Sequence, residues 1–229
     1  MKKELNWAVL GCGVIANEMA QALEHMGKHL YAVGNRTHEK AVTFAEKYGV
    51  QKVYDDFQEM FHDPDVDVIY ITTPHNTHIE FAREALAGGK HVLCEKPIAS
   101  NASEFQQMYD TAIKNQVILL EAMRSVFSPG FAAIRSLLPV LGTIRQVDFS
   151  FCKYSSRYDH FKEGIIENAF HPALSNAALM DIGVYCVHPL VSLFGMPASI
   201  QSSSIFLSNG FEGAGTVLLQ YTDMQATLR

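Results

Sequence analysis

The sequence predicts an α/β protein, with a doubly wound parallel sheet in its first half and an α+β domain carrying a mostly antiparallel open sheet in its second. Three observations predict this. Up to about Met123, continuous apolar runs alternate with helix-period stretches through short connections, as strands buried on both faces require. Beyond that point the strand candidates alternate apolar with polar residues, the pattern of a sheet with one wet face. Between the two textures, Ser128-Pro129-Gly130 interrupts any regular element. The division is read as residues 1–124 and 125–229.

The first-half strands are expected at Trp7–Leu10, Leu30–Val33, Val66–Ile71, His91–Cys94 and Val117–Glu121. The helices between them are expected at Ile15–Met26, Glu39–Tyr48, Phe57–Phe61, Ile79–Ala87 and Glu104–Asn115. Gly27, Gly49 and Gly88-Gly89 stand where helices should stop, Thr37 and Ser100 where they should start. The second half offers a short helix (Phe131–Leu138), strands at Ile144–Phe151, Ser199–Phe206, Thr216–Tyr221 and Gln225–Leu228, and an apolar helix at Ala178–Phe194. Because the sequence stops at Arg229 inside a strand pattern, the second domain is expected to be truncated, with a raw sheet edge.

Composition narrows the partners. Of 229 residues, 48% are apolar and 18% charged, and the net charge of −6 comes with no Lys/Arg block, so no nucleic-acid partner is expected. Cys12, Cys94, Cys152 and Cys186 form no metal-ligand spacing and read as reduced thiols, so no metal is expected. The apolar run Trp7–Leu10 is too short for a secretory h-region of roughly 7–15 residues, and no run approaches the ~18 apolar residues of a membrane span. A cytoplasmic protein with no membrane partner is the expectation.

Gly11-Cys12-Gly13-Val14-Ile15-Ala16 is a G-x-G-x-x-A between a strand and a helix. Gly11 permits the tight turn, Gly13 lets a pyrophosphate approach the backbone, and Ala16 lets the helix pack closely on the strand. The amides of Val14 and Ile15, at the helix N-terminus, would meet the phosphates. This is the fingerprint of a Rossmann dinucleotide site, although a turn needing glycine only for its shape would read the same. At the end of the second strand stands Gly34-Asn35-Arg36-Thr37, with no carboxylate before Glu39 to bind a ribose 2′-OH. Arg36 can pair with a 2′-phosphate, Thr37 can add a hydroxyl and Asn35 does not repel it. NADP is therefore expected, with NAD as the alternative, against the bland reading that Arg36 simply faces solvent.

Ligands of a doubly wound sheet bind beyond the carboxyl ends of the strands. That places Thr73-Pro74-His75-Asn76-Thr77-His78 and Glu95-Lys96-Pro97 on the cofactor side. Thr73, Pro74, Asn76, His78, Glu95 and Lys96 are the further cofactor-side candidates. His75 reads as a turn residue and His78 as a structural hydrogen-bonder, with His78 the better candidate of the two for contact near the cofactor; His160 and His171 have no assigned role.

With Asp181-Ile182-Gly183-Val184-Tyr185, these motifs make the chain resemble the Gfo/Idh/MocA oxidoreductase family over residues 5–195. The stretch Glu121-Ala122-Met123 and the Asp181–Tyr185 segment look closest to its trans-dihydrodiol dehydrogenase and NADP-dependent D-xylose dehydrogenase branch. The resemblance implies hydride transfer between a nicotinamide and a sugar, polyol or related carbonyl/alcohol substrate. It also implies Lys96 as the active-site lysine, Tyr185 as acid/base where the inositol enzymes carry histidine, Asp181 orienting substrate, and a homodimer through the second sheet. The chemistry stands beside it: alcohol oxidation needs a group to take the hydroxyl proton, and a tyrosine needs a nearby cation such as Lys96 to do so near neutral pH.

On a regular helix Asp181, Tyr185 and His188 share one face at i, i+4 and i+7. The bland readings are Asp181 as an N-cap and His188 as a core histidine. Two departures touch the substrate side: Leu174-Ser175-Asn176-Ala177-Ala178 replaces a glycine-rich stretch, and Asn168-Ala169 stands where an arginine is common. The competing readings are a non-catalytic cofactor-binding regulator, which would need neither Lys96 nor Tyr185, and an inactive truncated paralogue.

Overall fold

The computed structural model describes residues 4–229, which form two compact units, one running to Ala122 and the other from Met123. In the first, strands β1 (Trp7–Leu10), β2 (Ala32–Gly34), β3 (Lys52–Tyr54), β4 (Val68–Ile71), β5 (His91–Cys94) and β6 (Leu119–Glu121) pair in parallel in the order β3-β2-β1-β4-β5-β6. Helices α1 (Val14–His25), α2 (His38–Tyr48), α3 (Phe57–His62), α4 (His78–Ala87) and α5 (Ala102–Asn115) connect them.

Strand alternation divides the core between two helical layers. Ala8, Leu10, Ile69 and Ile71 pack with Met60 and Phe61 of α3, Leu86 of α4 and Met108 of α5. Val9, Val33 and Tyr70 point the other way, onto Ala16, Ala20 and Leu23 of α1 and Phe44 of α2. The parallel sheet is thus sandwiched, and its strand order reverses between β1 and β4, where ligands of this topology bind.

Two local readings are corrected. β3 was not anticipated, because three residues with one half-buried and one exposed side chain carry no period. The cap of α5 is Asn101 rather than Ser100: its side chain accepts from Glu104 N–H at 3.0 Å, and Glu104 reaches back to Ser100 N–H at 2.9 Å.

The second unit contains helix α6 (Pro129–Leu137), strand β7 (Gln146–Phe149), helix α7 (Tyr158–Lys162), helix α8 (Val184–Phe194) and strands β8 (Ser199–Phe206), β9 (Glu212–Gln220) and β10 (Gln225–Leu228). Its sheet runs β7-β10-β9-β8, with β7 parallel to β10 and the other two pairs antiparallel. β10 is therefore an interior strand, and the edges are β7 and β8; the raw edge expected at the last strand is not there. Cys186 and Leu190 of α8 pack on Leu219, Ala226 and Leu228, so Leu218, Gln201 and Thr227, which alternate with them in register, face the opposite side.

By length and composition alone, the helical stretch Pro172–Phe194 (23 residues, mean hydropathy 1.6) matches a membrane span, contrary to the sequence reading. A 3-10 turn (Pro172–Leu174) and a π-helical turn (Leu179–Gly183) break its regularity, and it packs on the sheet through α8.

Candidate cofactor and active site

Leu10, Ile71 and Cys94 are in register across β1, β4 and β5. The chain therefore leaves the sheet at one level through Gly11, Thr72 and Glu95. Thr72 N–H donates to Leu10 O and Glu95 N–H to Ile71 O, each at 2.9 Å, continuing the ladder one step. With strands roughly 4.8 Å apart, Glu95 starts about 10 Å from the glycine turn, well within the length of a dinucleotide.

Gly11 has φ +105°, and a Cβ there would stand 2.6 Å from Thr72 Oγ1. Only glycine fits. Gly13 is the N-cap of α1 and offers no capping side chain; the first turn holds no acidic residue, and a Cβ on Gly13 would meet nothing within 4 Å. Val14 is 71% exposed and Ile15 is exposed beside it. An uncapped helix N-terminus under an open backbone, with apolar side chains left in solvent, fits a bound pyrophosphate. Ala16 is fully buried against the core, as close helix–strand packing demands.

At the end of β2, Asn35 turns its amide to Thr37 O at 2.9 Å, Arg36 is exposed and Thr37 caps α2 without a side-chain bond. Sequence reasoning missed the groove next to them. It holds about 390 Å3 between the glycine turn and α2, lined by Cys12, Asn17, Glu39, Lys40, Thr43, Phe44 and Lys47. Its signal was present: Lys40 and Lys47 stand seven residues apart, which places both cations along one side of α2. Asn17 ties the groove together, donating to Gly13 O at 2.9 Å and accepting from Lys47 Nζ (2.9 Å) and Tyr48 O–H (2.8 Å). Burial pushes the Cys12 thiol up to about 11 despite Lys40 nearby, so it stays a neutral lining group.

Beyond β4, Thr73 accepts from Thr77 Oγ1 at 2.8 Å, while Pro74 and Asn76 are exposed. His78 is a structural hydrogen-bonder and not a cofactor contact. It is 0% exposed, its ring faces inward onto backbone carbonyls, and it offers no surface to a ligand. Beyond β5, Glu95 accepts from the Tyr70 hydroxyl and, at 3.2 Å, from Lys96 N–H. Burial first, and then Glu95, pushes Tyr70 far above its ordinary range, so its hydroxyl is a permanent donor. Lys96 is half-buried at this rim.

In the second unit Asp181 lies inside the π-helical turn, so it is not an N-cap. Tyr185 follows in the first turn of α8, its ring 5.7 Å from Phe151, and His188 one turn later. The regular-helix spacing assumed for the three does not hold through a turn with i→i+5 bonding. Asp181, Tyr185 and His188 are all half-buried. A cavity of about 430 Å3 opens beside this helix, lined by Cys152, Lys153, Tyr154, Ile182, Ser204 and Glu212 among others. Among the described residues no cluster of His, Cys, Asp or Glu could hold a metal ion.

Fold and glycine turn together define an NAD(P)-binding oxidoreductase. Residues 5–123 match the family model described as "Oxidoreductase family, NAD-binding Rossmann fold", and the chain belongs to this Gfo/Idh/MocA family of NAD(P)-dependent dehydrogenases and reductases. It is 41% identical to scyllo-inositol 2-dehydrogenase (NADP(+)) IolU of Bacillus subtilis, over 98% of this chain and 69% of that one. It is 34% identical to trans-1,2-dihydrobenzene-1,2-diol dehydrogenase of Mus musculus, over 95% and 65%. Among solved structures, aldose-aldose oxidoreductase of Caulobacter crescentus, complexed with glycerol, superimposes with TM-score 0.84 at 26% identity, over 99% of this chain and 70% of that one. The chain thus spans about two thirds of the length of these relatives.

Proposed function

We propose that the protein is an NADP-preferring enzyme that moves hydride between the nicotinamide and a CH–OH or carbonyl carbon of a sugar, polyol or related small molecule. The observation that carries this is the single rim formed by Gly11, Thr72 and Glu95-Lys96, beside an uncapped helix N-terminus and a groove lined by Lys40 and Lys47. The similarity to relatives named for NADP(+), scyllo-inositol and a dihydrobenzenediol supports the substrate class. When bound, the cofactor supplies the hydride acceptor or donor.

The residues up to 124 serve the cofactor and those from 125 the substrate. The backbone at Gly13 and the amides of Val14 and Ile15 hold pyrophosphate, and Arg36 with Asn35 and Thr37 holds the 2′-phosphate. Thr73, Pro74 and Asn76 border the cofactor, and Glu95 is held ready by Tyr70 to accept a hydroxyl. Lys96 binds a ribose or substrate hydroxyl and supplies positive charge, Tyr185 exchanges the hydroxyl proton, and Asp181 orients substrate. The open sheet face carrying Gln201, Leu218 and Thr227 makes a homodimer contact, and the protein works in the cytoplasm.

A screen of aldoses, polyols and diketones followed by NADPH absorbance tests the reading. Lys96→Ala and Tyr185→Phe should abolish turnover of any substrate found while cofactor binding by fluorescence stays within about threefold. An unchanged kcat in Tyr185→Phe removes it from the proton-transfer role.

A further inference from the structure

His78 opens α4, yet its imidazole is completely buried. Nδ1 lies 3.0 Å from the Pro97 carbonyl oxygen and Nε2 lies 3.0 Å from that of Thr73. These carbonyls belong to the two turns that leave β4 and β5 at the cofactor rim. A neutral imidazole has one N–H, so it can donate to only one of them. Burial, and to a lesser degree the Lys96 charge, push the ring's pKa down against the pull of the Thr73, Pro97 and Ile98 carbonyls, so it is neutral at physiological pH.

The two acceptors are not equivalent. Pro97 and its bond to the ring are buried, whereas Thr73 is half-exposed and its bond to the ring only part-buried. Leaving the buried carbonyl unpaired is the costlier choice. A proton on Nδ1 satisfies the buried carbonyl and leaves that of Thr73 to solvent. Pro97 directly follows Lys96, and the next residue is fixed as well, Ile98 N–H donating to Glu121 Oε1 at 2.9 Å. On the preceding side, Glu95 is tied to Tyr70. His78 thus holds the middle of a segment whose two ends are already anchored.

We propose that His78 is a positioning residue for Lys96: its Nδ1–H donates to the Pro97 carbonyl and, from the buried side, fixes the backbone from which the lysine reaches the rim. This rests on the role given to Lys96 above, and the test separates the two. His78→Asn places an amide near the Nδ1 position and can keep the Pro97 bond, whereas His78→Gln reaches toward Nε2 and Thr73 and loses it. The Gln variant should lose about tenfold or more in kcat with NADPH affinity within about threefold, and the Asn variant no more than about threefold in kcat. Independently of turnover, the 13C resonance of reductively methylated Lys96, assigned with Lys96→Arg, should move in the Gln variant and stay near its wild-type position in the Asn variant. If no substrate is turned over by the wild type, that resonance still decides the positioning role. An unmoved Lys96 resonance in His78→Gln, or equal displacement in both variants, overturns it.

Discussion

Replacing Gly11 with alanine separates two physical reasons for glycine at the cofactor turn. A side chain at φ +105° costs about 1–2 kcal/mol through backbone strain. The new Cβ would also meet Thr72 Oγ1 at 2.6 Å and Thr72 O at 3.1 Å, and such overpacking typically costs about 1–3 kcal/mol. The total is about 2–5 kcal/mol. At roughly 2–4 °C per kcal/mol for a chain of this size, Tm should fall by roughly 10 °C. Thr72→Ala removes the nearer clash while leaving the φ angle and the Thr72 carbonyl in place. It also forfeits the 3.0 Å bond from Thr72 Oγ1 to Leu10 O, worth about 1 kcal/mol. In that background Gly11→Ala should therefore cost about 1 kcal/mol less than in the wild type, a coupling that a double-mutant cycle by urea denaturation can resolve. A Gly11→Ala cost below about 0.5 kcal/mol, or the absence of coupling to Thr72, would refute the reasoning.

Asp63 governs the acid limb of stability. Burial raises its carboxyl, but donors from Lys52 Nζ (2.8 Å), Tyr54 and Asp65 N–H (2.8 Å) outweigh that and hold it at about 2, below the ordinary 3.8. A depressed carboxyl stabilises the fold above pH 4, and that contribution of about 2 kcal/mol is lost as pH falls from about 4 to about 2. Asp63→Asn should lose it at pH 7 and flatten that limb; an unaltered acid profile would exclude Asp63 as its source. Arg36→Ala should weaken NADPH about 10–100-fold and NADH little, as a charge-assisted phosphate contact of about 1.5–3 kcal/mol implies. Equal wild-type affinities for the two cofactors in a fluorescence titration would remove the 2′-phosphate argument. Leu190→Ala, at a fully buried position, should cost about 2–5 kcal/mol and raise hydrogen exchange first in β7–β10. Uniform loosening that includes β1 and β4 would contradict this.

Much of the first unit was legible because local signals carry it. Continuous apolar runs marked five of its six strands, and Gly11–Ala16 fixed the site turn by chemistry that spans only six residues. What escaped was either too short or non-local. β3 has three residues, and the burial of His78 depends on carbonyls at Thr73 and Pro97, the latter 19 positions away. Nor does a periodicity argument foresee a π-helical turn at Leu179–Gly183, since it assumes 3.6 residues per turn throughout. The interior place of β10 was hidden for the same reason: pairing order across a mixed sheet leaves no mark in the alternation of its strands.

That interior place sets an order of events in folding. β7 has β10 as its sheet neighbour, so Gln146–Phe149 must wait until Gln225–Leu228 have been synthesised before their ladder can form. The parallel sheet up to Ala122 meets no such delay, and on the ribosome it can close while the later residues are still being added. A nascent chain therefore passes through a stage in which the cofactor-binding half is built and β7 is an unpaired strand, open to pairing with the wrong chain. Deleting β10 would not trim a margin from the second sheet. It would cut the sheet in two.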